Sequence, residues 1–142
     1  MKLSEWTDRL AFGGSEEWAR NRVRQAIQEL VLDEDPVCFA AAQPPSRERR
    51  RLSVTLWAAL ALGFARISLA TDPVESGDAT ISMALDAWSA IAASLRLESV
   101  GDAEGRLPVT LVAGDQRIES GIRDRGELIE LFRECVRQVA LH

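Results

Sequence analysis

The only histidine of this 142-residue chain is its last residue, His142. Terminal residues fray, so His142 is not expected to hold a positioned role. Without an internal imidazole, Ser-His-Asp and Cys-His nucleophilic catalysis are not expected, and histidine-based zinc or iron sites go with them. The chain has no tyrosine, and its one lysine is Lys2. Phenolic acids, Schiff-base lysines and P-loop lysines therefore drop out as well.

Carboxylates, thiols and guanidinium groups remain. Asp33, Glu34 and Asp35 cluster together, and Asp72, Glu75 and Asp78 share a second short stretch. One or two carboxylates with water can hold magnesium, and paired carboxylates can do acid–base work. The plainer reading is solvated loops that cap neighbouring helices, and no metal or cofactor is assigned. Cys38 sits among Val37, Phe39 and Ala40, and Cys135 falls on an apolar helical stripe. Neither belongs to a C-x-x-C pattern, so both read as packed, reduced thiols. Gly13-Gly14-Ser15 ahead of a helix offers backbone amides to an anion, but Glu16 and Glu17 already suit that positive end.

Arg47, Arg49, Arg50 and Arg51 stand at the start of a predicted helix, where the helix dipole disfavours cations by about 0.3–1 kcal/mol each. They read either as a solvated first turn or as a docking patch for an acidic partner, with nucleic acid as a third reading. A net charge of −5 and a pI near 5.0 weigh against the third, because phosphate binding needs a surplus of basic groups. Trp6, Trp18 and Trp57 are candidate partner anchors, since interfaces favour tryptophan; Trp88 is assigned to the core.

The elements that would position these residues read as follows. Ser4 caps a helix running to about Phe12, and Ser15 caps a second whose apolar face holds Val23, Ile27 and Leu30. Residues 37–42 suit a short strand. Pro44-Pro45-Ser46 break the chain. Residues 47–65 read as a buried central helix, apolar almost all round, with Leu52, Leu56, Leu60 and Phe64 on one face; residues 66–71 fit helix or strand equally. Ile81, Ala84, Leu85, Trp88, Ile91 and Leu95 give the spacing of an amphipathic helix.

The period then changes to two. Residues 95–123 read as an antiparallel meander, with Gly114-Asp115 as a hairpin turn that pairs Leu111 with Ile118 and Val112 with Arg117. Leu107, Val109, Leu111, Ile118 and Ile122 fall on one face. Asp124-x-x-Glu127 resembles a capping box and opens a closing helix with Leu128, Leu131, Phe132, Cys135, Val136 and Val139 inward. The fold class is therefore α+β in one globular domain, residues 1–142: N-terminal helices, a central apolar helix, a small meander and a C-terminal helix.

The apolar run Leu52–Ala65 is 14 residues, short of the 20 or so that span a bilayer. Lengthening it carries Arg66 inside, at about 2.5–3.5 kcal/mol. With no apolar leader at the N-terminus, the expectation is a cytoplasmic chain with no membrane partner. Sixteen arginines against one lysine suit the codon usage of a GC-rich, bacterial genome. These features favour a non-enzymatic, protein-binding accessory module of chaperone-like, immunity or regulatory type, acting by surface burial on another protein or as a homodimer. The alternative is a small-ligand binder or enzyme built only on Asp, Glu and Arg.

Overall fold

Residues 52–71 form two strands. The computed structural model describes residues 1–9, 24–25, 27–31, 34–43, 52–71, 79–99 and 108–142. Within them the element order is α1 (Leu3–Arg9), β1 (Cys38–Gln43), β2 (Leu52–Ala59), β3 (Phe64–Thr71), β4 (Ala79–Asp86), α2 (Trp88–Ile91), β5 (Arg96–Ser99), β6 (Val109–Ala113), β7 (Gln116–Glu119) and α3 (Arg125–Leu141). Residues 27–31 are also helical. The class is α+β, with two antiparallel sheets ordered β1-β2-β3-β4 and β5-β6-β7.

The predicted central helix is corrected by this arrangement, and the reason lies in the period. Ser53, Val54, Thr55 and Leu56 alternate hydroxyl and apolar, as do Ile67, Ser68 and Leu69. That is the pattern of strands with one apolar and one polar face. It was masked by Trp57-Ala58-Ala59-Leu60, where the run turns apolar throughout. Ala58 and Ala59 point to opposite faces and both are buried, because this end of β2 is covered on both sides. Gly63 lets the β2–β3 turn lie close against the end of β4: a Cβ there would lie 2.3 Å from the Asp86 carbonyl oxygen.

The predicted helix over 81–95 is also corrected. Ile81, Met83 and Leu85 alternate with Thr80, Ser82 and Ala84 along β4, and only residues 88–91 are helical. Isoleucine and leucine four apart satisfy both periods, so the apolar spacing alone did not separate them. Trp88 is buried as expected, and its indole Nε1 donates to the Leu60 carbonyl at 2.9 Å.

The meander and closing helix stand where the sequence placed them. Leu111 pairs with Ile118 and Val112 with Arg117, around a turn in which Gly114 has φ +63°. Val109, Leu111 and Ile118 are buried, whereas Ile122 is exposed and Leu107 lies outside the described residues. On α3, Leu128, Leu131 and Cys135 are buried but Val136 is exposed. Asp124 makes no side-chain cap bond. Beyond β7, Ser120 extends the pairing through its side chain: its hydroxyl accepts from Val109 N–H at 2.9 Å, and its own N–H donates to the Val109 carbonyl at 2.9 Å.

Two cores result, one on each face of the four-stranded sheet. On one face Val54, Leu56, Ala58, Ala65, Ile67 and Leu69 pack under Leu3, Trp6, Ile27 and Val31. On the other, Phe39, Ala59 and Phe64 pack with Trp88, Ile91, the second sheet and α3. The N-terminal segment is tied down by residues 35–38: Leu3 N–H donates to the Pro36 carbonyl, and Cys38 N–H to the Met1 carbonyl. Asp35 accepts from both the backbone N–H and the hydroxyl of Ser4, each at 2.8 Å. The carboxylate thus serves the N-terminal end of α1, where negative charge is favoured. No helix among the described residues is long and apolar enough to cross a membrane.

Candidate functional site

Strand β4 is the outer strand of its sheet, hydrogen-bonded to β3 on one side only among the described residues. Residues 82–86 are all exposed. On the face that carries the first core, the cross-strand register builds continuous apolar rows: Ala40–Leu56–Ile67–Met83, Cys38–Ala58–Ala65–Leu85, and Val54–Leu69–Ile81. Among the described residues, the cover supplied by α1 and the helical residues 27–31 reaches the first three strands and, on β4, the partly buried Ile81, but not Met83 or Leu85. Ile67 is 1% exposed, whereas its neighbour Met83 is 36% and Leu85 44%. Leu62, in the adjoining β2–β3 turn, is 69% exposed. Among the described residues, two of the three rows therefore end in exposed side chains on the outer strand.

Natural sheets blunt such edges with lysine, proline, bulges or inward charges. β4 reads ATISMALD and has none of these before its final residue, Asp86. Its outer backbone groups and exposed apolar side chains together form a template for one more strand.

The opposite face of the same sheet carries a second feature. Where the second layer ends, Thr55, Ser68 and Ser82 lie in one row and Ser53, Ala70 and Thr80 in the next. With Ala41 and Trp57 they line an open cleft of about 560 Å³, within the usual range for small-molecule sites. Trp57 packs on Phe39 with ring centroids 6.3 Å apart, and its Nε1 is buried without a hydrogen-bond partner. Arg66 stands opposite Trp57 on β3 and reaches Gln116 at 3.5 Å. No carboxylate lines the cleft among the described residues, so it offers hydroxyl hydrogen bonds without an acid–base pair.

The candidate residues named from the sequence scatter. Trp6 is buried in the first core and presents no anchor at the surface; Trp57 is half-buried at the cleft. Trp18, Arg47, Arg49, Arg50 and Arg51 lie outside the described residues, as do Gly13-Gly14-Ser15, Asp33 and the Asp72, Glu75, Asp78 group. Glu34 accepts from Ala61 N–H at 3.2 Å and Asp35 holds α1, so the two described members of the first acidic cluster do structural work. Among the described residues no three His, Cys, Asp or Glu side chains converge as a metal requires. Cys38 and Cys135 are both buried, and burial pushes each thiol up to about 12. A thiol held that high is protonated at neutral pH and a poor nucleophile.

The sequence conceals β4 because its apolar residues also fall at helical spacing. The available signal was the strict alternation Thr80-Ile81-Ser82-Met83-Ala84-Leu85. Comparisons with protein-family models, with curated proteins and with solved structures find no match to this chain.

Proposed function

We propose that the chain is a non-enzymatic binding module that works by burying a partner's surface, and that the open edge of β4 is where it does so. One observation carries this reading: two apolar rows of the first core continue onto β4 and end there in exposed Met83 and Leu85, on a strand paired along one side only among the described residues. Strand addition would satisfy the backbone groups, and alternate side chains would give specificity. The buried, protonated cysteines and the carboxylates engaged in tying the fold together support binding over catalysis. A cytoplasmic setting and an accessory role, of chaperone-like, immunity or regulatory type, complete the proposal.

A photo-crosslinking residue placed at position 83, compared with one at exposed position 133 on α3, tests it. Adducts with another protein or with a second copy are expected from position 83 and not from 133. Equal yields, or none at 83, would contradict the edge as the binding surface.

The hydroxyl-lined cleft supports a second reading, a small-ligand binder. Its chemistry suits an organic molecule carrying hydrogen-bond acceptors and donors for Thr55, Ser68 and Ser82. No cationic side chain lines the cleft among the described residues, which disfavours a polyphosphate. A thermal-shift screen with sugars and small carboxylates tests it: stabilisation lost in Ser68→Ala supports the cleft, and no stabilisation by any compound counts against it.

A further inference from the structure

We infer that the strand added to β4 is β4 of a second copy of this chain, paired antiparallel about a two-fold axis through Met83. The inference rests on the reading of β4 as the binding edge and deepens it by naming the occupant.

Antiparallel pairing of two identical edges in one continuous sheet requires a two-fold axis normal to that sheet. Such an axis keeps each side chain on its own face, so a residue opposes another of the same parity. Two registers fall near the middle of Ala79–Asp86: one centred on Ser82 and one on Met83. The Ser82 register sets Leu85 against the strand's first residue. The Met83 register sets Met83 against Met83 of the other copy, and Ile81 against Leu85 in both directions. All three apolar side chains of β4 then meet apolar partners. On the opposite face Ser82 meets Ala84, and Thr80 meets Asp86, a hydroxyl donor across from a carboxylate. Asp86, the one charge of the strand, never faces its own copy.

A second copy suits this edge better than an isolated extended peptide. The two-fold places the helical layers of both copies on the same face of the joined sheet. The row Ala40–Leu56–Ile67–Met83 would continue into its symmetry mate, with exposed Met83 and Leu85 falling between two helical covers. A lone peptide adds backbone pairing but leaves this apolar strip open to water. The net charge of −5 on each copy opposes association, but only over the Debye length, about 8 Å at physiological salt. Association therefore strengthens as salt is raised.

Disulfide trapping tests both the occupant and the register. The native cysteines are buried, so a single added thiol dominates reactivity. Directly opposed residues in antiparallel strands have Cα atoms roughly 4.5–5.5 Å apart, within disulfide range. Under mild oxidation Met83→Cys is expected to give a covalent dimer at least tenfold faster than Ser82→Cys or Ala84→Cys. A mixture of Ile81→Cys and Leu85→Cys is expected to give the heterodisulfide in preference to either homodimer. Trapping at Ser82→Cys instead overturns the register. Trapping at none of these above an exposed control, Ala140→Cys, overturns the second copy; if position 83 still photo-crosslinks to a different protein, the binding edge stands and only the occupant is wrong. If position 83 yields nothing in either experiment, both readings fall.

Discussion

Ile67 and Met83 oppose each other across β3 and β4 on the same face of the sheet, yet Ile67 is 1% exposed and Met83 36%. Among the described residues the helical cover ends between them. This boundary gives the first contrast: in dilute solution Ile67→Ala should cost about 2–5 kcal/mol, the usual loss for a buried large-to-Ala change. Met83→Ala should stay within about 0.5 kcal/mol, as surface changes do. Urea midpoints measured at low protein concentration decide this, and similar losses at both positions would mean that β4 is covered within the monomer.

The two cysteines predict an alkaline limit to stability. Burial holds both thiols protonated in the folded chain to about 12, against an ordinary value of 9.0. In the unfolded chain they ionise first, so above pH 9 the unfolded state binds fewer protons and is favoured. Their contribution is fully present below pH 9 and is lost as pH rises towards 12. Each thiol adds a slope of about 1.4 kcal/mol per pH unit in that window. Stability from urea titrations at pH 8–11 should fall accordingly, and Cys135→Ala should remove about half of the slope. Slopes identical in both proteins would contradict the assignment.

Gly114 is the residue the β6–β7 turn depends on. At φ +63° an alanine is strained, and its Cβ would stand 3.3 Å from Ile91 Cγ2. Gly114→Ala should cost about 1–2 kcal/mol, and Gly114→Asn less of the backbone part, because asparagine tolerates this conformation. Thermal unfolding of the pair provides the comparison; an alanine variant as stable as the parent would refute it.

One buried hydrogen bond joins α2 to the β2–β3 turn, and another extends the β6–β7 pairing. Trp88→Phe removes the donor to the Leu60 carbonyl, and Ser120→Ala leaves Val109 N–H without its acceptor. Each should destabilise by about 1–3 kcal/mol, the cost of stranding a buried polar group. The changes should add, since they touch no common partner. A double variant no worse than either single one would show that the two bonds break together.

Much of the C-terminal half was legible in the sequence because its local signals agree. Gly114-Asp115 sets the turn, the alternation of Val109, Leu111 and Ala113 sets the face, and a long apolar stripe from Leu128 to Cys135 sets the helix. The four-stranded sheet was hidden by burial on both sides. At Trp57-Ala58-Ala59-Leu60 every residue is apolar because each meets one of two cores, and an unbroken run carries no period. On β4 the obstacle was coincidence, since Ile81, Leu85 and Trp88 fall at helical spacing while the strand ends at Asp86. The cleft was invisible for another reason. Ser53, Thr55, Ser68, Thr80 and Ser82 come from three strands, and only the register brings their hydroxyls together.

Acidic side chains illustrate the same limit. Asp35 reads as a loop carboxylate, but its partner Ser4 is 31 residues away. Only the fold shows that it holds the start of α1.

In the proposed assembly the four-stranded sheet ends at β4 only until a second chain joins it. Molar mass by light scattering over a wide concentration range, for the parent chain and for Met83→Lys, tests it most directly. The parent mass should climb to twice 15.6 kDa, more readily at higher salt, and a folded Met83→Lys should stay at the monomer mass throughout. A parent that remains monomeric at every concentration, or a Met83→Lys variant that dimerises as well as the parent, would contradict it.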